Sequence, residues 1–191
     1  MEIIDLTMPI HEDIPVFAGK PKPQLKQLST IKENGYNEKL ISFTSHCSTH
    51  VDVPAHMIEN GKTLTDIPIE KFIGKAVVID ATKQEDPDLS VVADKDIVFF
   101  YTNSSENQEI SKTTAQELIS KNIKVFGIDS FSPDSEPFEI HKLLLGNEIL
   151  IVENLVNLDK LLGCKFNCYI LPLKIQDGDG CPCRVIAVLE E

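Results

Sequence analysis

The sequence predicts a mixed α/β domain whose sheet is largely buried, and three observations carry that prediction. The chain has 191 residues and 42% hydrophobic content, enough to enclose one core. Seven short runs rich in β-branched and aromatic residues are spaced along it, the composition that a pleated sheet packs well. Helical patterns interrupt the later runs and not the early ones, which is the alternation of an α/β sheet.

Residues 12–25, EDIPVFAGKPKPQL, are rich in proline and read as an extended loop. The strand-like runs follow: KLISFTS (39–45), KAVVIDA (75–81), DIVFFYT (96–102), KVFGIDS (124–130), ILIVE (149–153), KFNCYILPL (165–173) and RVIAVLE (184–190). In TTAQELISKN, Thr114 offers an N-cap with Glu117 three residues on, a capping box. FEIHKLLLGNE reads as a short helix stopped near Gly146, and NLDKLLG as another ending on Gly163. No repeat, linker or shift in composition divides the chain, so residues 1–191 are expected to form a single domain.

Charge narrows the partners. With 18 Lys plus Arg against 30 Asp plus Glu, the formal charge of -12 repels nucleic acid and anionic membrane surfaces. The five cysteines, Cys47, Cys164, Cys168, Cys181 and Cys183, match no common zinc spacing in a chain too large to need disulfide staples. They read as small buried hydrophobes in a reducing cytoplasm. The opening MEIIDLTMPIHEDIP lacks the basic and apolar regions of a signal peptide, and no apolar run approaches membrane-spanning length.

The least random feature is SHCSTHVDVPAHMIENG, which holds His46, His50 and His56, three of the five histidines in the chain. A helix would align His46 with His50, but Pro54 breaks it and Thr49, Val51 and Val53 favour extended chain. In extended chain His46, His50 and Asp52 share parity and face one side. Full extension puts His46 and His50 about 13 Å apart at roughly 3.3 Å per residue, so a bend is needed, and Cys47 and Ser48 are small enough to form it. Pro54 then redirects the chain, and His56 approaches from another angle.

A half-buried strand whose histidines bond backbone carbonyls explains any one of these residues alone. Three with an aspartate favour a metal site, and imidazole with carboxylate suits zinc, manganese or iron with open positions. One strand supplies too few ligands. The stretch 137–158 offers His141, Glu148 and Glu153; Glu153 ends a buried run, where a lone carboxylate needs a partner, and Glu148 reads as solvated. The chain has no Gly-x-Ser-x-Gly elbow, P-loop or dinucleotide fingerprint, and DGDG at 177–180 reads as a turn because the remaining EF-hand ligands are missing.

HCSTHVDVPAH resembles the His-x-Gly-Thr-His-x-Asp-x-Pro-x-His signature of the cyclase family of metal-dependent hydrolases, which includes bacterial kynurenine formamidase and isatin hydrolase. The likeness extends to IPIEKFIGKAVVID, VFGIDSFSPD, IHKLLLGNEILIVENLVNLDKL and PCRVIAV, which cover most of the chain. It implies a swivelling β/β/α fold, a homodimer or higher homo-oligomer, and one or two divalent ions, zinc first and manganese as the alternative.

By the same resemblance His46, His50, Asp52, His141 and Glu153 are metal ligands, with Asp52 and Glu153 bridging, and His56 is the catalytic histidine. Phe17 stands where kynurenine formamidases have a tryptophan against the substrate, and Asp129 to Asp134 resembles a loop beside the site. Ser48 replaces the usual glycine, and NSSENQE (103–109) is a short loop without the Arg-Thr-Gly often found there.

The implied activity is hydrolysis of a small-molecule amide, resembling N-formylkynurenine to kynurenine plus formate in tryptophan catabolism. The alternatives are a cyclic amide, ester or lactone as substrate, or a non-catalytic metal or small-molecule binding protein of the same fold.

Overall fold

The computed structural model describes residues 1–17, 19–83, 86–104 and 109–189. Its strands are β1 (Glu2–Asp5), β2 (Gln24–Ser29), β3 (Glu38–Ser42), β4 (His50–Asp52), β5 (Ile73–Asp80), β6 (Ile97–Tyr101), β7 (Val125–Ile128), β8 (Leu150–Glu153), β9 (Lys165–Pro172) and β10 (Gly180–Leu189). The α-helices are α1 (Ile31–Asn34), α2 (Lys112–Ser120) and α3 (Glu139–Gly146).

Eight strands form one mixed sheet in the order β1-β10-β4-β8-β7-β6-β5-β9, and β9 pairs again with β10, so the sheet closes on itself. Strands β5 to β8 run parallel, while the pairs made by β1, β4, β9 and β10 are antiparallel. Closure leaves few unpaired edges. Along β5 to β8 the side chains alternate. Val78, Phe99, Val125, Leu150 and Val152 pack inside the barrel with Cys168, Cys181 and Cys183. Val77, Val98, Phe100, Phe126 and Ile151 face outward onto Ala115 and Leu118 of α2 and Leu144 and Leu145 of α3. Both faces of the parallel strands are thus covered, which is why these runs are apolar almost throughout. Gly127 lies opposite Phe99 in the β6–β7 register, and a Cβ there would sit 2.6 Å from the Phe99 ring.

Four expectations are corrected. The run 39–45 does form a strand, β3, but it stops at Ser42, pairs only with β2 outside the barrel, and is exposed along its length. β2 itself lies in QLKQLS, too polar to be recognised as a strand, and its first two residues, Gln24 and Leu25, fall within the expected 12–25 loop. Helix α2 starts earlier than the capping box implies: Ser111 is the N-cap and accepts the Thr114 N–H at 3.0 Å. Thr114 is instead buried and donates its hydroxyl to Asp86 at 2.8 Å. NLDKLLG makes only a 3-10 turn (Leu158–Leu161), with Gly163 at φ 75° beyond it. The centre of the NSSENQE loop, residues 105–108, lies outside the described residues.

Candidate metal centre

The bend expected between His46 and His50 is at Ser48, whose φ is 58°. A non-glycine residue there costs about 1–2 kcal/mol, offset by contacts that pin the segment. The Ser48 hydroxyl donates to the Met8 carbonyl at 2.7 Å, and Asn154 Nδ2 donates to the Ser48 carbonyl at 3.1 Å. The Thr49 hydroxyl accepts the Met8 N–H at 2.8 Å and donates to the Asn154 carbonyl at 2.5 Å.

Beyond the bend, β4 lies between β8 and β10. Val51 points into the barrel, and His50 and Asp52 point to the outer face. His50 is directly opposite Glu153 in the antiparallel register, which sets the two side chains together. His50 Nε2 lies 3.2 Å from Glu153 Oε2 and 3.4 Å from Asp52 Oδ1. His46 folds back so that Nδ1 is 2.6 Å from Asp52 Oδ1. From α3, His141 brings Nε2 to 3.1 Å from Glu153 Oε1 and 3.8 Å from Asp52 Oδ2. Pro54 starts a 3-10 turn ending at His56, whose ring lies over His46 with centroids 3.9 Å apart. All six residues expected at the centre are therefore brought together.

Charge compensation governs the titration of the cluster. Burial opposes a charge on His50, yet the Asp52 and Glu153 carboxylates override it and hold its pKa well above 6.5. His46 is raised against burial in the same way by Asp52. His141, hydrogen-bonded to Asp134 and Glu153, is pushed up to about 10 although burial acts against it. Asp52 is held below the usual carboxylate range, since His50 and His46 outweigh its burial. His56 goes the other way: burial lowers its pKa despite the nearby Asp52, and His46 and His141 add to the fall.

The donor set fits a divalent cation. His46, Asp52 and His56 offer ligand atoms all within 4.8 Å of one another, and so do His50, Asp52 and Glu153, so two groups share Asp52. His50 Nε2 and Asp52 Oδ2 are buried without a hydrogen-bond partner among the described residues. Buried polar atoms of that kind call for an explanation, and an ion between them supplies one. His50 Nδ1 meets the Ser48 carbonyl at 2.8 Å, and His141 Nδ1 meets the Asp134 carboxylate, which leaves both Nε2 atoms directed at the cluster.

The cluster forms part of a cavity of about 490 Å³ whose wall includes Phe17, 51% exposed, as well as Phe131 and Phe138. Glu148 lies apart, ion-paired with Lys62 at 2.6 Å. Asp129 also stays outside the cluster and accepts the Thr102 N–H at 2.8 Å.

Two contributors were missed in the sequence. Asp179 Oδ2 lies 2.9 Å from His46 Nε2 and 3.7 Å from His56 Nδ1. Gly180 lies so close to His46 that a Cβ would sit 2.7 Å from its Cε1. Both belong to DGDG, where the turn reading was sound but concealed a carboxylate aimed at the site.

A family profile described as "Putative cyclase" matches residues 4–135. This chain belongs to the cyclase family. An uncharacterized protein of Methanocaldococcus jannaschii is 36% identical over 99% of this chain and 100% of its own length. Kynurenine formamidase of Bacillus mycoides is 27% identical, covering 96% of this chain and 95% of that protein. Among solved structures, isatin hydrolase A of Labrenzia aggregata bound to benzyl benzoate superposes with a TM-score of 0.83 at 26% identity, over 99% of this chain and 94% of the other. A structure described as a potential metal-dependent hydrolase with cyclase activity gives 0.82 at 28% identity, over 100% and 99%. The relatives named as enzymes, kynurenine formamidase and isatin hydrolase A, are hydrolases acting on small molecules, and a divalent metal fits both the family and the buried cluster. Among the described residues no helix is long and apolar enough to cross a membrane.

Proposed function

We propose that this chain hydrolyses a small aryl amide, as an arylformamidase does, with His46, His50, Asp52, His141 and Glu153 holding one or two divalent ions and His56 moving the proton. The observation that carries the reading is the contrast inside one cluster. Asp52 joins two groups of donors, while His56 alone among the four clustered histidines is driven towards its neutral form. A bound divalent ion lowers the pKa of water from 15.7 towards about 7 and polarises a carbonyl oxygen.

The chain's own groups do the rest. Neutral His56 takes a proton from the attacking water and returns it to the departing nitrogen. Asp179, 3.7 Å from His56 Nδ1, orients the imidazole and favours the imidazolium formed in between. Phe17, half exposed on the cavity wall, offers a face to an aromatic ring. Asp134 holds His141 by Nδ1 and fixes its tautomer.

Zinc is our first assignment and manganese the second. The active species is taken to be a homodimer or larger homo-oligomer formed by one-domain chains in the cytoplasm; light scattering on the purified protein checks the oligomer. The deciding experiment combines metal content per chain with turnover of N-formylkynurenine before and after chelation. One or two ions with chelator-sensitive turnover is the expected result, and a protein that takes up neither zinc nor manganese would overturn it. His56→Ala is expected to lower kcat by about 10²–10⁴-fold with metal content unchanged; loss of metal would make His56 a ligand, as its place in one donor group permits.

The similarity to isatin hydrolase A supports a second reading, opening of a cyclic amide. Faster turnover of isatin than of N-formylkynurenine would select it. Metal binding without turnover of either would leave a binding protein.

A further inference from the structure

We propose that Lys20 determines specificity by pairing with a carboxylate on the substrate, which makes that substrate an anionic aryl amide. The proposal rests on the hydrolase reading above for the nature of the scissile bond. Lys20 is the one lysine or arginine among the residues lining the cavity of the metal centre. Its ammonium has no ion pair or hydrogen bond among the described residues, whereas Lys62 is taken up by Glu148 and Arg184 by Asp5.

The chain holds Lys20 beside an aromatic face. The Lys20 N–H donates to the Phe17 carbonyl at 3.0 Å, closing a turn in which Gly19 has φ 81°. A turn of this kind brings its first and last residues within about 7 Å, so Phe17 and Lys20 line the cavity side by side on one short loop. A flat aromatic body resting on Phe17 would thus have its substituents within reach of Lys20.

Outside the metal centre, which the amide occupies, electrostatics offer little else to a negative charge on the substrate. Glu136 also lines the cavity and repels an anion placed near it, whereas Glu153 and Asp179 are engaged by His50, His141 and His46. The whole chain, at a formal charge of -12, repels an approaching anion as well. Against that background a single unpaired ammonium at the wall selects both the charge and the orientation of what enters. It places the carboxylate at the loop and the amide towards the histidines.

The test uses the full, metal-loaded chain and two probes of similar shape, 4-formamidobenzoate and N-formyl-p-toluidine, which differ in carboxylate against methyl. The wild type is expected to favour the anion in kcat/KM. Lys20→Met is expected to lower that preference about fivefold, the scale of one partly exposed ion pair, through KM for the anion. Lys20→Arg should retain the preference, Lys20→Glu should reverse it, and rising salt should shrink it in the wild type. An equal ratio in wild type and Lys20→Met, or a wild type that favours the toluidine, would overturn the proposal.

Calorimetric binding of benzenesulfonate to wild type and Lys20→Met reads the lysine without any turnover. Weaker binding by the variant, with neither amide nor N-formylkynurenine nor isatin hydrolysed, would reject the hydrolase reading and keep the anion subsite. Equal binding would reject the subsite whatever the enzyme hydrolyses.

Discussion

Loading the metal-free protein with a divalent ion at pH 7 should expel protons in a number that the cluster itself dictates. A ligating imidazole must be neutral, so every histidine protonated in the metal-free state gives up its proton on binding. An ordinary histidine of pKa 6.5 is about one-quarter protonated at pH 7, and three of them would release about 0.7 proton together. Here His141 is raised to about 10 and so carries a full proton at pH 7, and His50 and His46 are raised as well. The total therefore exceeds about 1.5 protons per chain on saturation, one from His141 and more than one-quarter from each of the other two. Titration calorimetry in buffers of different ionisation enthalpy reads the number directly, as the slope of observed heat against buffer enthalpy. A release below about one proton would show that the histidines are neutral before the ion arrives, and the charge-compensated cluster would be wrong.

Other consequences follow from named contacts. Gly180→Ala places a methyl 2.7 Å from His46 Cε1 and from the Val51 carbonyl, so His46 must move; metal affinity measured by competition with a chelator should fall while circular dichroism stays native-like. Asp134→Ala removes the partner of His141 Nδ1 and the acceptor of the Ile140 N–H at 2.6 Å. It should weaken metal binding about 10–100-fold and cost about 1–3 kcal/mol in denaturant unfolding. The raised pKa of His141 contributes stability that is complete below about pH 6.5. That contribution is lost as pH rises through about 10. The Tm of metal-free protein should therefore fall across this window more steeply than that of Asp134→Ala, and parallel curves would refute the linkage.

Much of this arrangement was legible in the sequence where one local rule governed it. Parity placed His50 and Asp52 on one face, and the need for a bend pointed to Cys47 and Ser48, where Ser48 does take a positive φ. Apolar runs marked β5 to β8 because strands covered on both faces carry their own signal. What stayed hidden depended on distant partners. β2 is polar and its pairing with β3 joins two exposed strands, so no hydrophobic pattern announces it. Asp179 reaches His46 across 133 positions of chain, and nothing in DGDG discloses which side chain its turn will meet. The N-cap falls to Ser111, and Asp86 accepts both the Ser111 and the Thr114 hydroxyls from 25 and 28 positions away, a partner that no local pattern discloses.

The closure of the barrel through β10 bears on how the chain acquires its structure. Among the described residues β10 is the last of ten strands in chain order, and it touches β1, β4 and β9, joining segments far apart in the sequence. Until it docks, β4 lacks one neighbour and Asp179 and Gly180 are not beside His46. Pairings of such long sequence separation slow folding, because the ends must find each other before any contact rewards them. The parallel strands can gather their helices early, but the cluster of donors is complete only once β10 has joined β4 and carried Asp179 to His46.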